Sequence, residues 1–138
     1  MQEISTILKE KKLKLTPQRI AIFNMLYRTK THPTADMIYK SLSKAYPSMS
    51  LATVYKNLIS LKEVGLIKEM NAGEDSFRYD ANCENHPHFL CRNCGGVFDL
   101  PEIKELKNAR EKLCEETSFL IEEEEIFYYG KCKDCAEK

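Results

Sequence analysis

A chain of 138 residues has room for one ordinary domain or two small ones. Its 43% hydrophobic and 30% charged residues exclude a disordered chain, and no apolar run approaches the roughly 20 residues that cross a bilayer. The net charge of zero conceals an asymmetry: residues 1–79 carry 13 Lys and Arg against 7 Asp and Glu, whereas residues 80–138 carry 8 against 14. A basic half beside an acidic half suits a protein that turns one half toward nucleic acid and uses the other for something else.

The opening MQEISTILKEKK mixes acids and bases without an apolar core, so it does not read as a secretory signal. Six cysteines without export point to the cytoplasm, where paired CxxC motifs mean metal more often than disulfide. Residues 3–13 predict a short amphipathic helix on Ile4, Ile7, Leu8 and Leu13. Thr16 before Pro17 reads as an N-cap with proline at the first helical position, opening a helix to about Arg28 with Ile20, Ile22, Phe23, Met25 and Leu26 inward. Thr34 caps a third helix containing Met37, Ile38 and Leu42. Ser50 caps a fourth, whose expected buried stripe is Leu51, Val54, Leu58 and Leu61 and which Gly65 ends.

The opposite face of that fourth helix carries Ser50, Thr53, Tyr55, Lys56 and Asn57. Short polar residues, an aromatic and a cation near a helix N-terminus suit insertion in a major groove, where Asn pairs with adenine, Lys with guanine or phosphate, and Tyr meets a thymine methyl. LIKEM and SFRYD then flank the turn NAGED as a two-stranded wing. Three helices and a hairpin make a winged helix-turn-helix, against the plainer reading of a helical domain with an ordinary polar face.

Residues 80–99, DANCENHPHFLCRNCGGVFD, concentrate the chemistry. His86 and His88 alternate, so both imidazoles share one face of an extended strand. Cys91 and Cys94 form one CxxC, Cys132 and Cys135 a second. Four thiolates on two knuckles match tetrahedral structural zinc, the alternatives being a redox dithiol or free cysteines. The three histidines, His32, His86 and His88, with Asp80 and Asp99 suit Fe2+, Mn2+ or Zn2+. A metallohydrolase could use the same ligands, but no nucleophile or general base accompanies them, so no catalytic residue is assigned and no enzyme is expected.

Past the knuckle, Pro101 is expected to open a helix to about Thr117 with Ile103, Leu106 and Leu113 inward and Cys114 in the core, while Cys83 stays unassigned beside the histidines. SFLIEEEEIFYYGKC predicts a strand pair or one bent strand. So small a core needs a metal and a partner subunit. Ile121, Ile126, Phe127 and Tyr128 are expected to pair across a symmetric homodimer.

The landmarks LKLTPQR (13–19), TVYKNL (53–58), HPHFLCRNC (86–94) and CKDC (132–135) resemble the ferric uptake regulator family of bacterial metal-dependent repressors over essentially the whole chain. The resemblance implies an α+β protein with a winged-helix DNA-binding domain (1–79), a hinge (80–85) and a small α/β dimerisation domain with structural zinc (86–138). It implies a regulatory Fe2+ or Mn2+ on His32, Asp80, His86, His88 and Asp99, and zinc on Cys91, Cys94, Cys132 and Cys135. It places Tyr55 at the bases of palindromic operator DNA and Lys14 in the minor groove, with no membrane partner. Aspartate at 80 and 99 resembles the peroxide-responsive branch, in which Fe2+ and H2O2 oxidise a ligand histidine, here His32 or His86, and DNA is released. The alternative is a repressor that responds to iron or manganese level. Two departures are evident. Glu124 stands where a third metal site has histidine, and Lys56 where arginine is usual.

Overall fold

The computed structural model describes residues 2–72, 76–81 and 86–137. Two compact units divide the chain, Met1–Cys83 and Glu84–Lys138. No helix among the described residues is long and apolar enough to cross a membrane. The hinge expected at 80–85 falls mostly on residues 82–85, outside the described residues, as do Cys83 and residues 73–75 of the NAGED turn.

The first unit runs α1 (Gln2–Glu10), α2 (Pro17–Arg28), α3 (Ala35–Leu42), α4 (Leu51–Glu63), β1 (Lys68–Asn71) and β2 (Phe77–Asp80). Three of the helices begin on a hydroxyl that accepts a backbone N–H: Thr16 from Arg19, Thr34 from Met37 and Ser50 from Thr53. Each satisfies a donor that the helix itself leaves unpaired. Past the end of α4, Gly65 takes φ +77°, a conformation that glycine adopts without strain. β1 and β2 pair antiparallel, Lys68 opposite Asp80. Ile4, Leu8, Ile22, Phe23, Leu26, Ile38, Val54, Leu58 and Leu61 form one buried core beneath the hairpin residue Tyr79. Ile20 and Met25 pack against it only partly buried.

One helical register differs from expectation. The buried residues of α4 are Val54, Asn57, Leu58 and Leu61, while Leu51 is 37% exposed. At 3.6 residues per turn, that face is centred roughly 70° from Leu51, so the buried stripe is rotated away from the leucine and takes in the polar Asn57 on its opposite flank.

The second unit contains β3 (His88–Cys91), β4 (Val97–Asp99), α5 (Lys104–Thr117), β5 (Phe127–Gly130) and a final turn, α6 (Lys133–Ala136). The sheet order is β4-β3-β5, with β3 antiparallel to β4 and parallel to β5. The strand pair or single bent strand expected across 118–132 is therefore corrected: only Phe127–Gly130 is a strand there, and it pairs with β3. Helix α5 starts at Lys104 rather than Pro101, because Leu100 N–H still bonds Pro87 C=O and Ile103 remains extended. It buries nothing within the single chain: Ile103 is 49% and Leu113 53% exposed, and Cys114 is half-buried. Phe119 (70%) and Leu120 (84%) are open as well.

Ser50→Ala is expected to lower stability by about 1 kcal/mol in urea unfolding, because the α4 N-terminus loses its acceptor. Lys56→Ala, on the exposed face of the same helix, is expected to change it by less than about 0.5 kcal/mol.

Candidate metal centres and nucleic-acid face

The two CxxC segments meet within the second unit. The four sulfur atoms of Cys91, Cys94, Cys132 and Cys135 lie within 4.8 Å of one another, and Cys94 Sγ and Cys132 Sγ are 3.9 Å apart. Sulfurs around a tetrahedral zinc at 2.3 Å stand roughly 3.8 Å apart, so this spacing fits the ion with little adjustment. The parallel pairing of β3 with β5 produces the convergence. Cys91 ends β3 opposite Gly130, which delivers Cys132 two residues later. On the other side, Gly95 at φ +74° turns the chain back, donating its N–H to Cys91 C=O.

The four thiols differ. Cys91 Sγ accepts the backbone N–H of Cys94 (3.4 Å) and of Cys132 (3.3 Å), which stabilises its thiolate and holds its pKa down to about 6. For Cys135, a hydrogen bond with Asn93 works downward, but Cys132, burial and the other two thiols together push it up to about 11. Cys91 thus favours the thiolate form that a metal requires, and a divalent cation would draw off the proton that Cys135 holds.

The histidines fall in both units, each beside an aspartate. In the first unit His32 Nε2 lies 3.1 Å from Asp80 Oδ2, with His32 only 1% exposed. The hairpin builds this pair: Arg78 Nη1 donates to His32 C=O, Tyr79 N–H donates to Pro33 C=O, and the next residue is Asp80. His32 has φ +54°, a left-handed conformation that a residue with a side chain adopts at a cost on the order of 1 kcal/mol. The loop carries that strain while presenting an imidazole to a carboxylate.

In the second unit His88 on β3 faces Asp99 on β4 in direct register. Asp99 Oδ1 is 2.7 Å from His86 Nε2 and 3.3 Å from His88 Nε2. The two imidazole centroids are 4.4 Å apart, and Phe127 stacks on His88 at 5.4 Å. Two ring nitrogens and one carboxylate oxygen thus converge on one side of the sheet. Nitrogen and oxygen donors favour Fe2+ or Mn2+ more than the thiolate set does. Glu124 is engaged by Arg110, whose Nη1 lies 3.2 Å from both of its carboxylate oxygens and 2.8 Å from Glu102.

On the exposed face of α4, Ser50, Tyr55 and Lys56 reach solvent, and Thr53 is half-buried with its hydroxyl 2.9 Å from that of Ser50. Lys14 is exposed in the turn before α2. The placement of Asn57 among base-reading residues is corrected. It is 6% exposed, its amide oxygen accepts Arg19 Nε–H at 3.0 Å, and its amide nitrogen donates to Thr53 C=O at 2.9 Å. Arg19 had no assigned role from sequence; a cation in the first turn of a helix, where the dipole disfavours it, was the available signal.

Replacing Cys91 with alanine is expected to reduce zinc from one ion per chain to near none by elemental analysis. His88→Ala should leave that ion in place. Full zinc retention by the cysteine variant would rule out the four-thiol assignment.

The description "Ferric uptake regulator family" applies to a family model that matches residues 10–129. The chain is 37% identical to the peroxide-responsive repressor PerR of Staphylococcus aureus over 140 aligned residues, covering 100% of this chain and 93% of that one. Its fold matches the Campylobacter jejuni peroxide stress regulator with a TM-score of 0.75 at 35% identity, covering 97% of both chains. It also matches the Helicobacter pylori ferric uptake regulator with a TM-score of 0.81, covering 99% of this chain and 91% of that one. At 23% identity that likeness speaks to the fold alone. With a family model matched over most of its length and a relative 37% identical along all of it, the chain belongs to the ferric uptake regulator family.

Proposed function

We propose that this protein is a dimeric, metal-dependent repressor in the cytoplasm that binds palindromic operator DNA and is released by peroxide. The observation that carries this reading is the ligand chemistry: all three histidines pair with aspartate, His32 with Asp80 and His86 and His88 with Asp99. Similarity to a peroxide-responsive repressor along the full chain supports the same branch.

On this reading one Fe2+ or Mn2+ is shared by His32, Asp80, His86, His88 and Asp99, and zinc is held by the four cysteines. A ligand set drawn from both units favours only those arrangements in which the units approach, so metal shifts the population toward them. Moving that ratio from 1:99 to 99:1 takes about 5.5 kcal/mol of differential affinity. In a dimer, two copies of α4 address two half-sites, with Tyr55 at the bases, Lys14 in the minor groove, and Ser50, Thr53 and Lys56 around them. The exposed apolar residues of α5 and of 118–126 supply the self-complementary surface, which a solitary chain leaves open to water.

When bound, Fe2+ supplies the one-electron chemistry that activates hydrogen peroxide beside its ligands. The net change at His32 or His86 consumes one peroxide. Its O–O bond breaks, one oxygen joins a ring carbon, and the other leaves as water. The imidazole supplies both electrons. An oxidised ring is a poorer donor, so the shared site loosens and DNA is released.

The first test is peptide mass analysis after anaerobic Fe2+ loading and stoichiometric H2O2. The expected result is 16 Da, one added oxygen, on the peptides containing His32 or His86, with loss of operator binding. Unmodified histidines with retained binding would make this a repressor responsive to metal level. His32→Ala should abolish metal-dependent DNA binding while leaving zinc content unchanged. Leu120→Asp is expected to shift the protein from dimer to monomer in sedimentation, and an unchanged dimer would exclude this face from the interface.

A further inference from the structure

The part-buried polar link between α2 and α4 has no role in metal binding, yet it breaks two local rules. Asn57 occupies a core flank where an apolar side chain would pack without any polar group to satisfy. Arg19 sits in the first turn of α2, which carries no acidic residue to offset either its charge or the helix dipole. Local violations of this kind are expected where function requires them.

The contacts form a chain. Arg19 Nη1 donates to Lys14 C=O at 3.0 Å, and Arg19 Nε donates to Asn57 Oδ1 at 3.0 Å. Asn57 Nδ2 donates to Thr53 C=O at 2.9 Å, and Thr53 Oγ1 lies 2.9 Å from Ser50 Oγ. One guanidinium therefore grips the backbone of the turn carrying Lys14 and the inner side of the helix carrying Tyr55. Its planar fork of donors holds both at a fixed angle, which the single rotatable ammonium of a lysine would not do. A weaker contact, Gln18 to Ser48 at 3.5 Å, runs from the first turn of α2 to the loop that precedes α4.

We infer that Arg19, through Asn57, is a positioning residue for DNA binding: it locks the Lys14 turn to α4, so that both engage duplex DNA as one rigid surface. The inference rests on the DNA-binding reading above. Neither residue needs to touch DNA. Without the link, Lys14 remains exposed and charged, but its location relative to α4 is no longer set. Its contact is then lost to the conformational entropy of the turn.

The test uses the full-length Mn2+-loaded protein and a duplex that the parent selects from a randomised pool. Asn57→Leu is the informative variant, because leucine has nearly the same shape and extends the apolar face of α4 while cutting the link. It is expected to keep or raise the thermal midpoint, weaken DNA binding at least tenfold, and reduce the log–log salt slope by roughly one, the value of one lost phosphate contact. Lys14→Ala should cost at least tenfold in the parent and less than twofold in Asn57→Leu or Arg19→Gln. A Lys14→Ala penalty of equal size in all three backgrounds would overturn the coupling, as would parental affinity in Asn57→Leu. An Asn57→Leu protein that fails to fold leaves Arg19→Gln to decide by the same comparison. A folded parent that selects no duplex overturns the DNA-binding reading, and the coupling with it.

Discussion

The second unit has too little apolar interior to hold its own ends together, and the four-thiol cluster offsets that lack. A three-stranded sheet and a helix that buries nothing cannot supply much hydrophobic stabilisation. What fixes the unit is the meeting of a knuckle at 91–94 with another at 132–135, delivered by the parallel alignment of β3 and β5. That alignment also sets the histidines. His88 is opposite Phe127 on one side and Asp99 on the other, so the register that gathers the sulfurs also gathers nitrogen and oxygen donors. A slip of one residue in β3 would turn His88 to the far face of the sheet, and a slip in β4 would turn Asp99 away from it.

The first unit solves a different problem. Its core is ample, and three hydroxyl caps fix where its helices begin. Its unusual features lie at the edges: a left-handed His32 held by the hairpin, and a buried asparagine in α4. The hairpin therefore has a second task besides forming a wing. Arg78 and Tyr79 bind the 32–33 backbone, and Asp80 faces His32, so the strand leaving the wing carries both the support and the carboxylate.

Most of this was legible in the sequence where local chemistry is decisive. Thr16, Thr34, Ser50 and Gly65 mark helix boundaries because caps act over a few residues, and the CxxC pairs state their ligand number outright. The failures share a cause. Leu51, Ile103 and Leu113 are apolar at helical spacing, but periodicity identifies a face without saying what covers it, and in the single chain α5 is covered only in part, at Leu106, Arg110 and Cys114. The parallel strand 127–130 depends on a partner some 40 residues earlier in sequence, a pairing that alternation cannot reveal. Asn57 was misread because its amide suits a base edge as well as a guanidinium. Only burial and the position of Arg19 separate the two.

The two donor sets differ in a way that bears on the proposed sensing role. The four cysteines of the two CxxC pairs belong to the second unit, so an ion held there stabilises that unit and has no leverage on the arrangement of the two units. His32 and Asp80 belong to the first unit, while His86, His88 and Asp99 belong to the second. Only an ion drawing on both sets can discriminate between arrangements of the units, since a ligand shifts an equilibrium by its differential affinity and nothing else. The division also suits the donors. Thiolates retain zinc tightly in a closed site, whereas imidazole and carboxylate leave iron or manganese exchangeable and accessible to a small oxidant. The proposed function needs a fold indifferent to the signal and a DNA affinity that depends on it, and separating soft from harder donors along the chain suits both requirements.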